Sequence, residues 1–144
     1  MGAITLTPCI TLTLIEKGVV MAELTRVQKL HLDLIRYISY NDFDGQIVAG
    51  GLLAHADLWV AVISTHSHQQ HAVYRLFDEI PEDEWSADRL WIMAVDEESA
   101  RRLIDLCRTE WQADEAGIYD YTRDAQLSKL AMVDSEVLVT AWWD

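Results

Sequence analysis

The chain has little cysteine, few basic residues and no long apolar run. Its two cysteines, Cys9 and Cys107, are too few for a disulfide framework, which favours a reducing compartment. No apolar run approaches the ~20 residues of a membrane-spanning helix. The first twenty residues alternate apolar residues with threonine and lack a basic start, so they make a poor signal peptide. We therefore expect a cytoplasmic protein without a membrane partner.

The shortage of basic residues restricts the partners further. Lys and Arg number 11 against 24 Asp and Glu, which gives a net charge of −13. Residues 78–144 hold 18 acidic and 6 basic side chains, whereas residues 1–77 hold 6 and 5. Phosphate backbones and anionic lipids both require clusters of Lys and Arg, so we expect no direct binding to nucleic acid or membrane surfaces. Basic proteins and cations remain as partners.

The composition that is present is that of a globular protein. Hydrophobic residues make up 51% of the 144 residues, and a chain of this length buries a sufficient core without metal or disulfides. We predict a single α/β domain over residues 21–144. Residues 1–20 form an edge strand, a poorly ordered tail, or sequence upstream of a start at Met21, and these alternatives stay open.

Hydrophobic periodicity predicts the elements. Apolar residues three or four apart predict helices over 23–40, over 45–54 and over 97–111. In the first of these, one stripe holds six apolar residues: Leu24, Val27, Leu30, Leu34, Ile35 and Ile38. Asp44 and Asp96 are the expected N-caps. Strands are predicted over 58–64, 72–77, 90–95, 116–119 and 136–142, and a short helix over 123–132. This order predicts an α/β fold, with α+β as the alternative: a mixed sheet of about five strands with helices packed on it, and a βαβαβ-like C-terminal half.

Three of the five histidines lie in the sequence THSHQQH, residues 65–71, after a predicted strand. The motif resembles the metal-binding loop of the metallo-β-lactamase superfamily, Thr-His-x-His-x-Asp-His. The resemblance implies a sandwich of two sheets and a zinc-dependent hydrolase in which His66, His68 and His71 hold the metal. Gln70 replaces the aspartate of that motif, and no histidine follows His71. The simpler interpretation is a polar hairpin turn between the strands 58–64 and 72–77.

The tryptophans supply the other candidate site. Trp85 lies in an acidic loop and Trp143 lies beside the chain's end, where burial is harder to arrange than for tryptophans inside predicted strands. An exposed Trp among carboxylates suits an interface with a cationic partner. The predicted partner-binding residues are Glu82, Asp83, Glu84, Trp85 and Trp143. No catalytic residue is predicted, because Cys107 has the spacing of a core residue and the paired carboxylates share one charged loop.

These observations predict a small acidic protein without catalytic activity or cofactor that binds another protein or assembles with itself. A metal-dependent hydrolase-like protein that uses the three histidines and zinc is the second hypothesis. The third is an acidic mimic of nucleic acid, which would occupy the basic groove of a nucleic-acid-binding protein.

Overall fold

The computed structural model describes residues 13–14, 20–21, 23–78, 83–120 and 136–144. In chain order the elements are β1 (Thr13–Leu14), β2 (Val20–Met21), α1 (Arg26–Arg36), β3 (Ser39–Tyr40), β4 (Phe43–Asp44), α2 (Gly45–Ala54), a 3-10 turn (Ala56–Leu58), β5 (Trp59–Thr65), α3 (Gln69–Asp78), β6 (Arg89–Ala94), α4 (Glu97–Thr109), β7 (Glu115–Ile118) and β8 (Val137–Trp142). The helix predicted over 123–132 and most of residues 1–20 lie outside the described residues.

A four-stranded sheet in the order β5-β6-β8-β7 organises the fold. All three pairings are antiparallel, and Ile92 of β6 lies opposite Val62 of β5 and Val139 of β8. The predicted fold class is confirmed, with four antiparallel strands in this sheet where about five strands in a mixed sheet were expected. β6 and β7 run parallel and are joined through α4, but β8 lies between them. The C-terminal half is therefore a βαβ unit split by an antiparallel strand.

Side-chain caps explain where the predicted helices begin. Thr25 and Gln28 form a reciprocal capping box at α1. Asp44 accepts hydrogen bonds from the backbone N–H groups at the start of α2. Asp96 accepts one from Ser99 N at 2.8 Å, and this bond is the main reason that the pKa of its carboxyl is lowered. Both N-caps predicted from sequence are thus confirmed.

The strand predicted over 72–77 is wrong, because these residues belong to α3. The run is rich in β-branched and aromatic residues, which favoured a strand. The chain instead turns at Ser67 and His68, and Ala72 N donates to His68 O at 3.2 Å as the helix begins. Val73 and Tyr74 remain 65% and 61% exposed, so the run has no strand-like buried face. The sequence THSHQQH is a junction between a strand and a helix, not a hairpin turn.

Among the described helices, none combines the length and the apolar character that crossing a bilayer requires.

Candidate functional site

The three histidines of the junction lie close together. β5 ends at Thr65 and α3 begins at Gln69, which places His66 and His68 between them and His71 in the first turn of α3. The ring centroids of His68 and His71 lie 6.2 and 5.7 Å from that of His66. His66 is 9% exposed, whereas His68 and His71 are exposed. The buried imidazole of His66 therefore lies beside the two exposed imidazoles of His68 and His71.

His66 acts as a hydrogen-bond acceptor inside the junction. Its Nδ1 accepts from His68 N at 2.9 Å, which assigns the proton of the neutral ring to Nε2. Burial is the main cause that lowers the pKa of His66; His71, His68 and Arg75 lower it further, and the carboxylate of Asp88 opposes them. A neutral His66 thus stabilises the turn that leads into α3.

Asp88, the residue directly before β6, contacts the same junction. It is 5% exposed, and its Oδ1 accepts from Ser67 N at 2.9 Å. Its backbone N–H donates to Thr65 O, and its backbone carbonyl accepts from Trp143 N. Asp88 was not predicted from sequence, because it follows several similar carboxylates in one loop and only the register of β5 on β6 distinguishes it.

The histidines do not fit a metal centre in this arrangement. No group of three His, Cys, Asp or Glu side chains in the described part of the chain has the geometry to hold a metal ion. The Nδ1 lone pair of His66 is occupied, and the Asp88 carboxylate holds the backbone of Ser67. The described strands form one four-stranded antiparallel sheet and two separate two-stranded pairs, β1-β2 and β3-β4. This is not the sandwich of two packed sheets that the motif's resemblance implied.

The two predicted surface tryptophans occupy different positions. Trp85 is half-buried; its Nε1 donates to Ser64 Oγ at 3.3 Å, and its backbone N donates to Tyr37 O at 2.9 Å. The surface position expected for Trp143 is wrong, because Trp143 is 0% exposed and stacks on Phe43 with centroids 4.0 Å apart. Neither indole projects into solvent as an anchor for a partner.

The acidic loop lies at the C-terminal end of α1. Asp83 is exposed and Glu84 half-buried, and both border a cleft of about 470 Å³ together with Arg36 and Tyr37. The hydrogen bond from Trp85 to Tyr37 holds the loop there. Glu82 lies outside the described residues.

Helix α1 has two apolar sides, which its residue spacing alone does not separate. Leu32 and Ile35 are 2% and 0% exposed and face the core. Val27, Leu30, Leu34 and Tyr37, which we call the α1 stripe, are 61%, 60%, 36% and 51% exposed. The apolar arc of this helix is wider than one core contact covers, and that width was the sequence signal for two faces.

The α1 stripe continues onto the edge of the sheet. Val27 and His31 border an apolar groove of about 370 Å³ whose other wall includes Val60, Ile63 and Met93. Val60 and Ile63 of the edge strand β5 are 39% and 47% exposed. Through Val27, the exposed apolar surface of the α1 stripe therefore extends to the edge of the sheet. This surface was not among the predicted site residues.

No family model, curated protein or solved structure matches this chain. Its function must therefore be argued from the chemistry of its own surface.

Proposed function

We propose that the protein is a non-enzymatic module that binds a protein surface, either of another protein or of its own kind, through the α1 stripe. The observation that carries this proposal is the exposure of four apolar side chains on one side of a capped helix. Several apolar side chains exposed side by side mark an interaction site more often than apolar residues scattered singly over a surface.

The spacing of the α1 stripe favours a helix as the contacting element. Its residues follow one another at intervals of three, four and three, the repeat with which one helix inserts side chains between those of another. Tyr37 adds an aromatic side chain, the type enriched where binding energy is concentrated. Asp83 and Glu84 supply a charged rim at one end. Trp85 contributes by positioning that rim, a different role from the direct contact predicted from sequence.

A matched pair of substitutions tests the proposal. Leu30→Glu places a charge within the α1 stripe, and Leu53→Glu places one on α2, where Leu53 is 43% exposed outside the stripe. At high dilution, we expect the wild type to bind an environment-sensitive apolar dye, Leu30→Glu to lose much of that binding, and Leu53→Glu to retain it, with all three folded. Equal dye binding by all three proteins would contradict the proposal.

The hydrolase hypothesis is tested separately by chelation. A structural or catalytic metal stabilises the folded state that binds it, so its removal lowers the melting temperature. We expect the melting temperature of the wild type to be the same with and without EDTA. A clear decrease that His68→Ala abolishes would favour the metal-dependent alternative.

A further inference from the structure

We propose that the partner of the α1 stripe is a second copy of this chain, with the two α1 helices packed antiparallel about a two-fold axis. The inference rests on the proposed function, because it names the occupant of the same surface.

The side chains of the α1 stripe complement their own reversed order. In an antiparallel pair centred between Leu30 and Leu34, Leu30 of one copy faces Leu34 of the other. The same axis places Val27, the smallest member, opposite Tyr37, the largest. Each layer then has a similar volume, so the two helices can pack closely along the whole stripe. Each contact occurs twice, as in any isologous interface. A parallel pair would instead place tyrosine on tyrosine and valine on valine.

The charges at the two ends of the α1 stripe favour the same orientation. Arg26 and Lys29 are exposed at the Val27 end, where Lys29 pairs with Glu23 at 3.4 Å and the balance is positive. Asp83 and Glu84 lie at the Tyr37 end beside Arg36, which already pairs with Asp33, so the balance there is negative. Antiparallel packing brings the basic end of each copy to the acidic end of the other, and parallel packing brings like charges together. Complementary rims of this kind orient a complex and speed its formation.

The apolar groove beside Val27 supplies a receptor for the aromatic side chain. In the antiparallel arrangement, Tyr37 of the second copy lies at the mouth of this groove, between α1 and the edge strand β5. An aromatic residue seated in an apolar pocket is typical of the centre of an interface.

The distribution of charge also allows two acidic chains to meet here. Of the net charge of −13, residues 1–77 carry −1. Helix α1 itself holds three basic residues and one acidic residue. Contact through α1 therefore avoids the repulsion that the acidic residues 78–144 would produce.

Analytical ultracentrifugation across a concentration series tests whether a second copy of the chain binds the α1 stripe. We expect the wild type to reach twice the monomer mass reversibly, Leu30→Glu to weaken the dimer by about tenfold or more, and Leu53→Glu to leave it unchanged. A dimer that tolerates Leu30→Glu would overturn the inference. A monomeric wild type whose dye binding depends on Leu30 would overturn the second copy but leave the proposed function standing. A monomer with no such dependence would overturn both.

Charge reversal tests the orientation. The pair Arg26→Glu and Lys29→Glu should weaken the dimer, and adding Asp83→Lys with Glu84→Lys should restore it, because the exchanged rims are again complementary. Arg101→Glu with Arg102→Glu on α4 makes the same change in net charge away from the α1 stripe and should have a smaller effect. Failure of the second pair to restore the dimer would overturn the antiparallel arrangement.

Discussion

Helices α1 and α4 have similar amphipathic sequences but different surroundings. Both begin with a side-chain cap and carry apolar residues three or four apart. In α4, Ala100, Leu103 and Cys107 are all 0% exposed, whereas α1 leaves its stripe open to solvent. Periodicity therefore predicts that a helix has an apolar side, but it does not show how much of that side the same chain covers.

The position of each helix on the sheet explains the difference. α4 packs across β6, β7 and β8, so strands extend beneath it on both sides. α1 packs on α2 and on β5, which is an edge strand. Among the described residues, no further strand lies beyond β5 to cover the outer side of the helix. The uncovered remainder is the surface that we assign to a second copy.

Thiol reactivity should show the largest contrast between the two helices. Burial raises the pKa of the Cys107 thiol to about 12, so little thiolate forms near neutral pH. With Cys9→Ser as background, we expect a cysteine introduced as Leu30→Cys to be alkylated about a thousandfold faster than Cys107 in dilute folded protein. The rates are measured by mass spectrometry with iodoacetamide. Similar alkylation rates would mean either that position 30 is not exposed or that Cys107 is not buried.

Truncating a leucine to alanine should destabilise the protein more in α4 than in α1. Leu103→Ala removes a buried side chain and should lower the free energy of unfolding by about 2–5 kcal/mol. Leu30→Ala should change it by less than about 0.5 kcal/mol when the protein is dilute enough to be monomeric. Urea denaturation of both variants measures this difference. Comparable losses would indicate that Leu30 is covered within its own chain.

Two adjacent glycines in α2 test how closely this helix packs against Trp111, just after the end of α4. A Cβ atom at Gly51 would lie 2.6 Å from the ring of Trp111, the buried residue that follows α4, whereas a Cβ at Gly50 meets nothing within 4 Å. Gly51→Ala should therefore destabilise the protein by about 1–3 kcal/mol through overpacking. Gly50→Ala should stabilise it by about 0.5–1 kcal/mol. The same sign for both would contradict the close contact with Trp111.

These residues also show how far the sequence alone reaches. The three main helices follow from local patterns, and so do the caps of α2 and α4, since Asp44 and Asp96 act on their own helices. The capping box of Thr25 and Gln28 was not predicted. Helix α3, which begins within THSHQQH, was missed because local β-propensity does not show that Ala72 is buried while Val73 and Tyr74 are exposed. Trp143 was misplaced because its burial depends on Phe43, one hundred residues earlier. The wide apolar arc of α1 signals two faces in the sequence, but only the position of β5 at the edge of the sheet shows which face stays uncovered.

The stabilities of the α1 and α4 variants are best compared near neutral pH. His66 makes the free energy of unfolding depend on pH, and this effect is smaller than those above. Its folded-state pKa is lowered from 6.5, chiefly by burial, so the unfolded chain binds a proton more readily. The stability associated with neutral His66 is complete above about pH 6.5 and is lost as the pH falls from there toward the folded-state pKa. We expect His66→Asn to flatten this part of the stability profile. An unchanged slope would contradict the buried neutral imidazole.

The most direct test of the central claim is a disulfide formed between two different single-cysteine variants. With Cys9→Ser as background, Val27→Cys and Tyr37→Cys are prepared separately, and each is oxidised alone and after mixing. Antiparallel α1 helices place these two positions opposite each other, so we expect the cross-linked dimer chiefly in the mixture. Its absence from the mixture, or equal cross-linking of each variant with itself, would contradict the account.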